Sequence, residues 1–195
     1  MKHMSYFKLG DSSTTLNTGL VISRKKSEDD DGYKYKILTL RSFNENGYLD
    51  TQYLDGFISN EKLDDKQITQ EGDIIVRLSY PNTAIYIPRE LEGIVVTSLF
   101  IIIRIKTEYV LPKYVQIYLN SENVKRQLVG NIIGSVLSIV KASSFREIEI
   151  PIYPVEYQDK VIDMNELILK EKKLLNKLIE KKTMYHKGIM RKMFE

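Results

Sequence analysis

Between Pro154 and Arg191 there is no further proline and no glycine before Gly188, and the stretch is built almost wholly from Lys, Glu, Leu, Ile and Met. These are strong helix formers, and Pro154 stands where a first helical turn tolerates proline. The 38 residues of this stretch would extend ~57 Å at ~1.5 Å each, longer than a small domain is wide. Val161, Met164, Ile168, Leu175, Leu178, Tyr185 and Ile189 fall three and four apart as in a heptad seam, with Glu171 and Lys182 interrupting it and Leu167, Leu174 and Ile179 widening it. Such a helix either folds back on its own domain or projects, and its length favours projection. A projecting apolar stripe needs a second helix to cover it.

A chain of 195 residues has room for one ordinary domain and this appendage. The absence of Cys excludes a disulfide framework, a thiolate metal site and a cysteine nucleophile, and points to a cytoplasmic protein. The longest apolar run, Ile94 to Ile105, is broken by Thr97, Ser98 and Arg104 and falls short of the ~18 to 20 residues of a membrane span. Only two His make His-based metal or triad chemistry improbable. The net charge of +3 resides after Val155: 19 basic and 19 acidic residues precede Glu156. Charge alone therefore does not announce nucleic acid.

Along the chain, Tyr6 to Asp11 reads as a short amphipathic piece entering a Ser/Thr-rich loop. Gly19 to Arg24, Lys25, Lys26 and the acidic run Glu28 to Asp31 read as solvated loop. Tyr33 to Leu40 is predicted as a half-exposed strand, and Asn46-Gly47 as a turn. Gly72-Asp73 opens a strand over Ile74 to Leu78, with Thr83 to Ile87 as its hairpin partner around Tyr80-Pro81-Asn82. Val95 to Ile105 reads as one mostly buried strand. Pro112 starts a helix running to Ser121, and Ser121-Glu122 caps a second one through about Val129. Ser143-Ser144 makes a short turn, and Glu147 to Ile152 a last strand. Arg104, inside an apolar run, is expected to be a paired structural arginine.

Lys8-Leu9-Gly10-Asp11, Gly19 to Arg24, Gly72 to Val76, Val96 to Phe100, Tyr118 to Ser121, Gly134-Ser135 with Ile139, Glu149-Ile150-Pro151, Pro154 to Gln158 and the closing Lys187 to Phe194 come in an order and spacing that carry a family signature together. In that order they resemble the target-recognition domain and long helix of type I restriction-modification specificity subunits. The resemblance implies an α/β (α+β) domain with a mixed sheet over residues 1–153. It implies one long coiled-coil helix over 154–195, for dimerisation and methyltransferase docking. Family members usually carry two such units, whereas this sequence shows one set with no internal repeat. It looks like half a subunit, which would pair with a second copy through Val161, Met164, Ile168, Leu175, Leu178, Tyr185 and Ile189.

What the resemblance implies for function is sequence-specific binding of double-stranded DNA, in company with methyltransferase and restriction subunits, by a chain that is not itself an enzyme. S-adenosylmethionine, ATP and magnesium would belong to those partners and none would be bound here. Arg24, Lys25, Lys26, Arg41, Asn44, Asn46, Gln52, Arg77 and Asn82 have side chains able to reach base edges from loops, and Tyr80 can stack or touch phosphate. The neutral recognition domain suggests that partners supply much of the phosphate attraction. A truncated, non-productive competitor for methyltransferase subunits, or a coiled-coil adaptor, is the alternative.

Enzymatic readings find little support. Ser79-Tyr80-Pro81-Asn82 is not the Asn/Asp-Pro-Pro-Tyr/Phe motif of adenine methyltransferases, and no phosphate-cradling loop ending in Gly-Lys-Ser/Thr occurs. Asp29 to Asp31 and Asp64-Asp65 are conceivable magnesium ligands, but acidic runs in polar loops are ordinarily solvated, so no metal site is expected.

Overall fold

The computed structural model describes residues 5–27, 31–44, 47–130 and 139–194. At its centre lie β7 (Ile74–Arg77) and β10 (Phe100–Ile105), flanked by β2 (Thr14–Thr18) and β8 (Ala84–Tyr86) in an antiparallel sheet ordered β2-β10-β7-β8. The central strands are apolar at consecutive positions because both faces are covered. Ile74, Val76, Ile101 and Ile103 face one core with Phe7, Val115, Leu119 and Ile150. Ile75, Ile85, Phe100 and Ile102 face another with Leu38, Phe43 and Val96. Each side chain so enclosed contributes ~1.5 to 3 kcal/mol.

A second sheet is mixed. β3 (Tyr33–Ile37) pairs antiparallel with β6 (Asp55–Ser59) and parallel with β9 (Ile94–Val95). β1 (Ser5–Lys8) pairs with β11 (Glu149–Ile152), and β4 (Phe43–Asn44) with β5 (Tyr48–Leu49). Gly47 turns that hairpin with a φ of 83°, a conformation open chiefly to glycine. α1 (Pro112–Leu119) and α2 (Glu122–Gly130) lean on the first core, and α3 (Val155–Phe194) leaves the domain.

Two expectations need correction. The Ser/Thr stretch does not remain loop, because the open edge of β10 recruits Thr14–Thr18 as β2, where β-branched threonines fit the pleat. Val95 to Ile105 is not one strand: β9 ends at Val95, β10 begins at Phe100, and they belong to different sheets. The intervening turn is pinned by Gly19, where an added Cβ would lie 2.2 Å from the Thr97 carbonyl oxygen. Only glycine allows that approach.

Candidate nucleic-acid interface

The loops that could face a ligand converge on the end of the central sheet where β10 starts. There Gly19 N–H donates to the Phe100 carbonyl at 3.1 Å, Ser98 N–H to Leu20 at 2.8 Å and Leu78 N–H to Leu99 at 3.0 Å. Ser79 forms a bridge with Ile139. Val21, Leu99, Ile139 and Tyr80, the last 64% exposed, all stand open at this end. A single 3-10 turn, Ile22–Arg24, carries Arg24 away from Val21. The side chains of Arg24, Lys26 and Tyr80 are exposed and have no polar partner among the described residues. Val21 and Leu99 carry no sequence signal of this placement; the break between β9 and β10 exposes Leu99, and an uninterrupted strand would have hidden it.

The remaining candidates are distributed differently. Lys25 pairs with Glu61, and Lys26 bridges Ser59 at the end of β6 through its backbone. Gln52 and Tyr53 lead into the start of the same strand, so the two groups are separated by its length, ~13 Å. Arg41 sits over the Tyr53 ring, 5.1 Å from its centroid, and Thr39 holds the two segments together through its hydroxyl, which donates to the Tyr53 carbonyl at 2.9 Å. The Gln52 amide donates to Asp50 at 2.8 Å. Asn44 lies on β4, half-buried.

Asn44 and Arg77, expected in loops, lie on strands, and Asn82 lies in its expected turn but is buried there. Arg77 closes strand β7, with its Nε donating to Ser79 Oγ at 2.7 Å. Asn82 is only 2% exposed, and its amide donates to the carbonyls of Arg77 at 3.2 Å and Leu78 at 2.9 Å. It takes the left-handed φ of 53° that the turn requires, which asparagine tolerates. Its side chain holds the hairpin and presents no edge to a base. Asn46, Asp29, Asp30, Gly134 and Ser135 lie outside the described residues.

Among the described residues no group of three or more metal-ligating side chains forms. Asp64 instead caps a local turn, accepting the Lys66 N–H at 2.8 Å. Arg104 is paired as expected: Nε and one Nη reach the two carboxylate oxygens of Asp73 at 2.6 and 2.8 Å, and the Nη also donates to the Asp65 and Ile68 carbonyls. Hydrogen bonding to Asp73 pushes the Arg104 pKa up further. Asp73, fully buried, therefore ties the start of β7 to β10.

The long helix has two segments. In the first, Gln158 is fully buried and takes three backbone partners: Leu111 N–H at 2.9 Å, the Tyr109 carbonyl at 2.9 Å and the Tyr153 carbonyl at 2.8 Å. Ile162 joins the first core, and Val161 packs partly against it rather than standing free in the seam. Lys113 pairs with Glu166 at 2.6 Å, and Lys173 sits 4.2 Å from the Tyr48 ring centroid. In the second, from Leu174 to Phe194, every residue is exposed. No helix among the described residues is long and apolar enough to cross a membrane.

No family model and no curated protein matches this sequence. Solved structures do match. The HsdS subunit from Thermoanaerobacter tengcongensis superposes with a TM-score of 0.64 at 15% identity, over 91% of this chain and 45% of that one. A type I R-M system structure addressing complex assembly and conformational transition gives 0.66, again at 15% identity, 91% and 45%. The type I restriction-modification S subunit from M. genitalium gives 0.54 at 15% identity, over 91% and 43%. This chain has their fold. It spans under half the length of each, a sheet-rich domain followed by one long helix.

Proposed function

We propose that this chain is a DNA-specificity subunit of a type I restriction-modification assembly, contributing one recognition domain and one arm. The observation that carries the reading is the match of 91% of the chain to specificity-subunit structures, domain and helix together. Recognition would occur at the β10-start end of the domain. Arg24 and Lys26 offer donors to base edges or phosphates there, and Tyr80 offers a ring and a hydroxyl. Arg41, Asn44 and Gln52, across the second sheet, would touch the duplex from a separate element. With as many acids as bases before Glu156, general attraction to DNA falls to the methyltransferase subunits that dock on the arm. Those subunits bind S-adenosylmethionine and extrude the target base; restriction subunits use ATP and magnesium. This chain makes and breaks no bonds.

The arm would pair with the arm of a second copy, so that two identical domains read the same half-site on opposite strands. The target is then an interrupted palindrome. Methylome sequencing of cells carrying the chain with its methyltransferase should reveal such a motif, and Arg24→Ala or Arg41→Ala should relax the half-sites without changing the spacer. A motif with two unlike halves would overturn self-pairing in favour of a second, different specificity half. No motif at all would overturn the specificity role in favour of a competitor for methyltransferase subunits.

A further inference from the structure

Two charges interrupt the exposed seam of α3, and neither has a partner among the described residues. Glu171 has Leu167, Ile168, Leu174 and Leu175 as its neighbours three and four residues away, and Lys182 has Leu178, Ile179, Tyr185 and His186. No intrahelical pair is therefore available to either. Both are exposed and make no ion pair or hydrogen bond among the described residues. They are eleven residues apart, close to three full turns, and so share one face of the helix. That face lies opposite the flank carrying Gln158, Ile162, Leu169 and Lys173, which the domain already covers or borders.

We infer that these charges set the register of an antiparallel self-pairing in which Glu171 of each copy meets Lys182 of the other. The inference rests on the self-pairing reading above and specifies its geometry. Placing the twofold axis at the Asn176–Lys177 peptide sets Leu175 opposite Leu178, Ile168 opposite Tyr185 and Met164 opposite Ile189. The same operation sets Glu171 opposite Lys182, twice. Each of these positions then meets another of the seam, as antiparallel packing of a and d sites requires, while Val161, packed partly against its own domain, falls opposite Lys192. Sliding the copies by one heptad destroys this match. Glu171 then falls against Leu175 or Ile189, and Lys182 against Met164 or Leu178, each a charge pressed into an apolar seam without compensation. A parallel in-register pair sets Glu171 against Glu171 and Lys182 against Lys182. Polar residues at seam positions lower stability but select one register and one orientation.

The surface beside the seam agrees with this occupant. An open cavity of ≈390 Å³, lined by Ile117, Tyr157, Val161, Met164 and Ile168, continues the exposed stripe onto the domain. In this register the second copy's Ile189 and the turn that follows it, ending in the exposed Met193 and Phe194, lie over that cavity. Both apolar surfaces are then closed by one contact.

Because the chain contains no cysteine, engineered pairs report the register directly. The double variant Ile168→Cys/Tyr185→Cys should yield covalent dimers on mild oxidation of the purified protein. The two sites are ~25 Å apart along one helix, so a single chain cannot bridge them. Ile168→Cys/Lys192→Cys, which meet only if the copies slide by one heptad, should not crosslink. In sedimentation, Glu171→Lys and Lys182→Glu should each weaken self-association on the order of tenfold through two like-charge contacts per dimer, and the combined swap should restore it. Crosslinking of the Ile168/Lys192 pair, or of Ile168→Cys alone, would overturn the register while leaving the specificity reading in place. So would charge reversals without effect on a wild-type dimer. A wild-type chain monomeric at every concentration would overturn the self-pairing itself, whereas failure of the specificity role would show only in the methylome.

Discussion

The two segments of α3 share one composition and one periodicity but have opposite environments. Up to Lys173 the helix is seated: Gln158 and Ile162 are buried, Glu166 is paired and Lys173 covers the Tyr48 ring. Beyond it, Leu174, Leu175, Leu178 and Ile179 are all about half or more exposed. The difference is one of length, since the domain provides support for roughly half of a helix whose 40 residues span ~60 Å. Amphipathic patterning marks a face to be covered, and it does not say by what. Along the seated segment, the buried Gln158 amide, the Lys113–Glu166 ion pair, the Lys173–Tyr48 contact and a few apolar contacts hold the helix against the domain. Along the second segment, from Leu174 to Phe194, every residue is exposed.

Perturbations of the domain, the seat and the free arm should separate in size. The largest loss is expected for Phe100→Ala, which empties a fully buried site whose ring lies 4.7 Å from that of Phe43; urea unfolding should show ~3 to 5 kcal/mol. Gln158→Ala acts at the seat, where it leaves the Leu111 N–H and the Tyr109 and Tyr153 carbonyls without partners. A cost of ~1 to 3 kcal/mol is expected, with hydrogen exchange rising first around Tyr109 to Leu111 and the start of α3. A result no larger than an arm substitution would remove the distinction between seat and arm.

A smaller, pH-confined effect should come from Tyr114, whose hydroxyl donates to the Pro151 carbonyl at 2.9 Å. Burial pushes its pKa from 10.0 up to about 12. The folded state therefore keeps this proton where the unfolded chain has lost it. The contribution is complete below pH 10 and is lost as the pH rises towards about 12. Thermal melts should fall over that window, and Tyr114→Phe should flatten the fall. The smallest effect on folding is expected for Leu175→Lys combined with Leu178→Lys. Unfolding of the domain should shift by less than ~0.5 kcal/mol, while sedimentation should show the loss of any dimer. If instead the unfolding midpoint of dilute monomer drops, the arm is not independent of the domain.

Much of the fold is legible in the sequence wherever a pattern and its boundary coincide. The β7–β8 hairpin follows from two apolar runs around Pro81-Asn82, α1 from Pro112, α2 from Glu122 in its first turn, and β11 from alternating Glu and Ile. Arg104 is recognisable as structural because a charge within an apolar run needs a partner, though its partner Asp73 is not apparent from sequence. The candidate interface is less legible. Asn82 looks like any polar loop residue until its amide is seen to hold the turn. Leu99 looks like core until the chain is seen to change sheets beside Gly19. Gln158 closes the Pro154 to Gln158 stretch of the family resemblance, but its burial is not apparent from sequence, because its three partners come from residues scattered between Tyr109 and Tyr153.

The sequence by itself determined the long helix, its apolar seam and the two charges within it, because helical periodicity and propensity are local properties of consecutive residues. It also determined which runs are apolar enough to form the central strands. Only the tertiary structure decided that Thr14–Thr18 is a strand, that the run ending at Ile105 divides between two sheets, and that the arm is free beyond Lys173. Each of these depends on what surface lies opposite: an open strand edge, a carbonyl that only glycine can approach, the outer limit of a packed domain. Hydrogen bonding and burial are settled between distant segments, and no local pattern encodes where those segments meet.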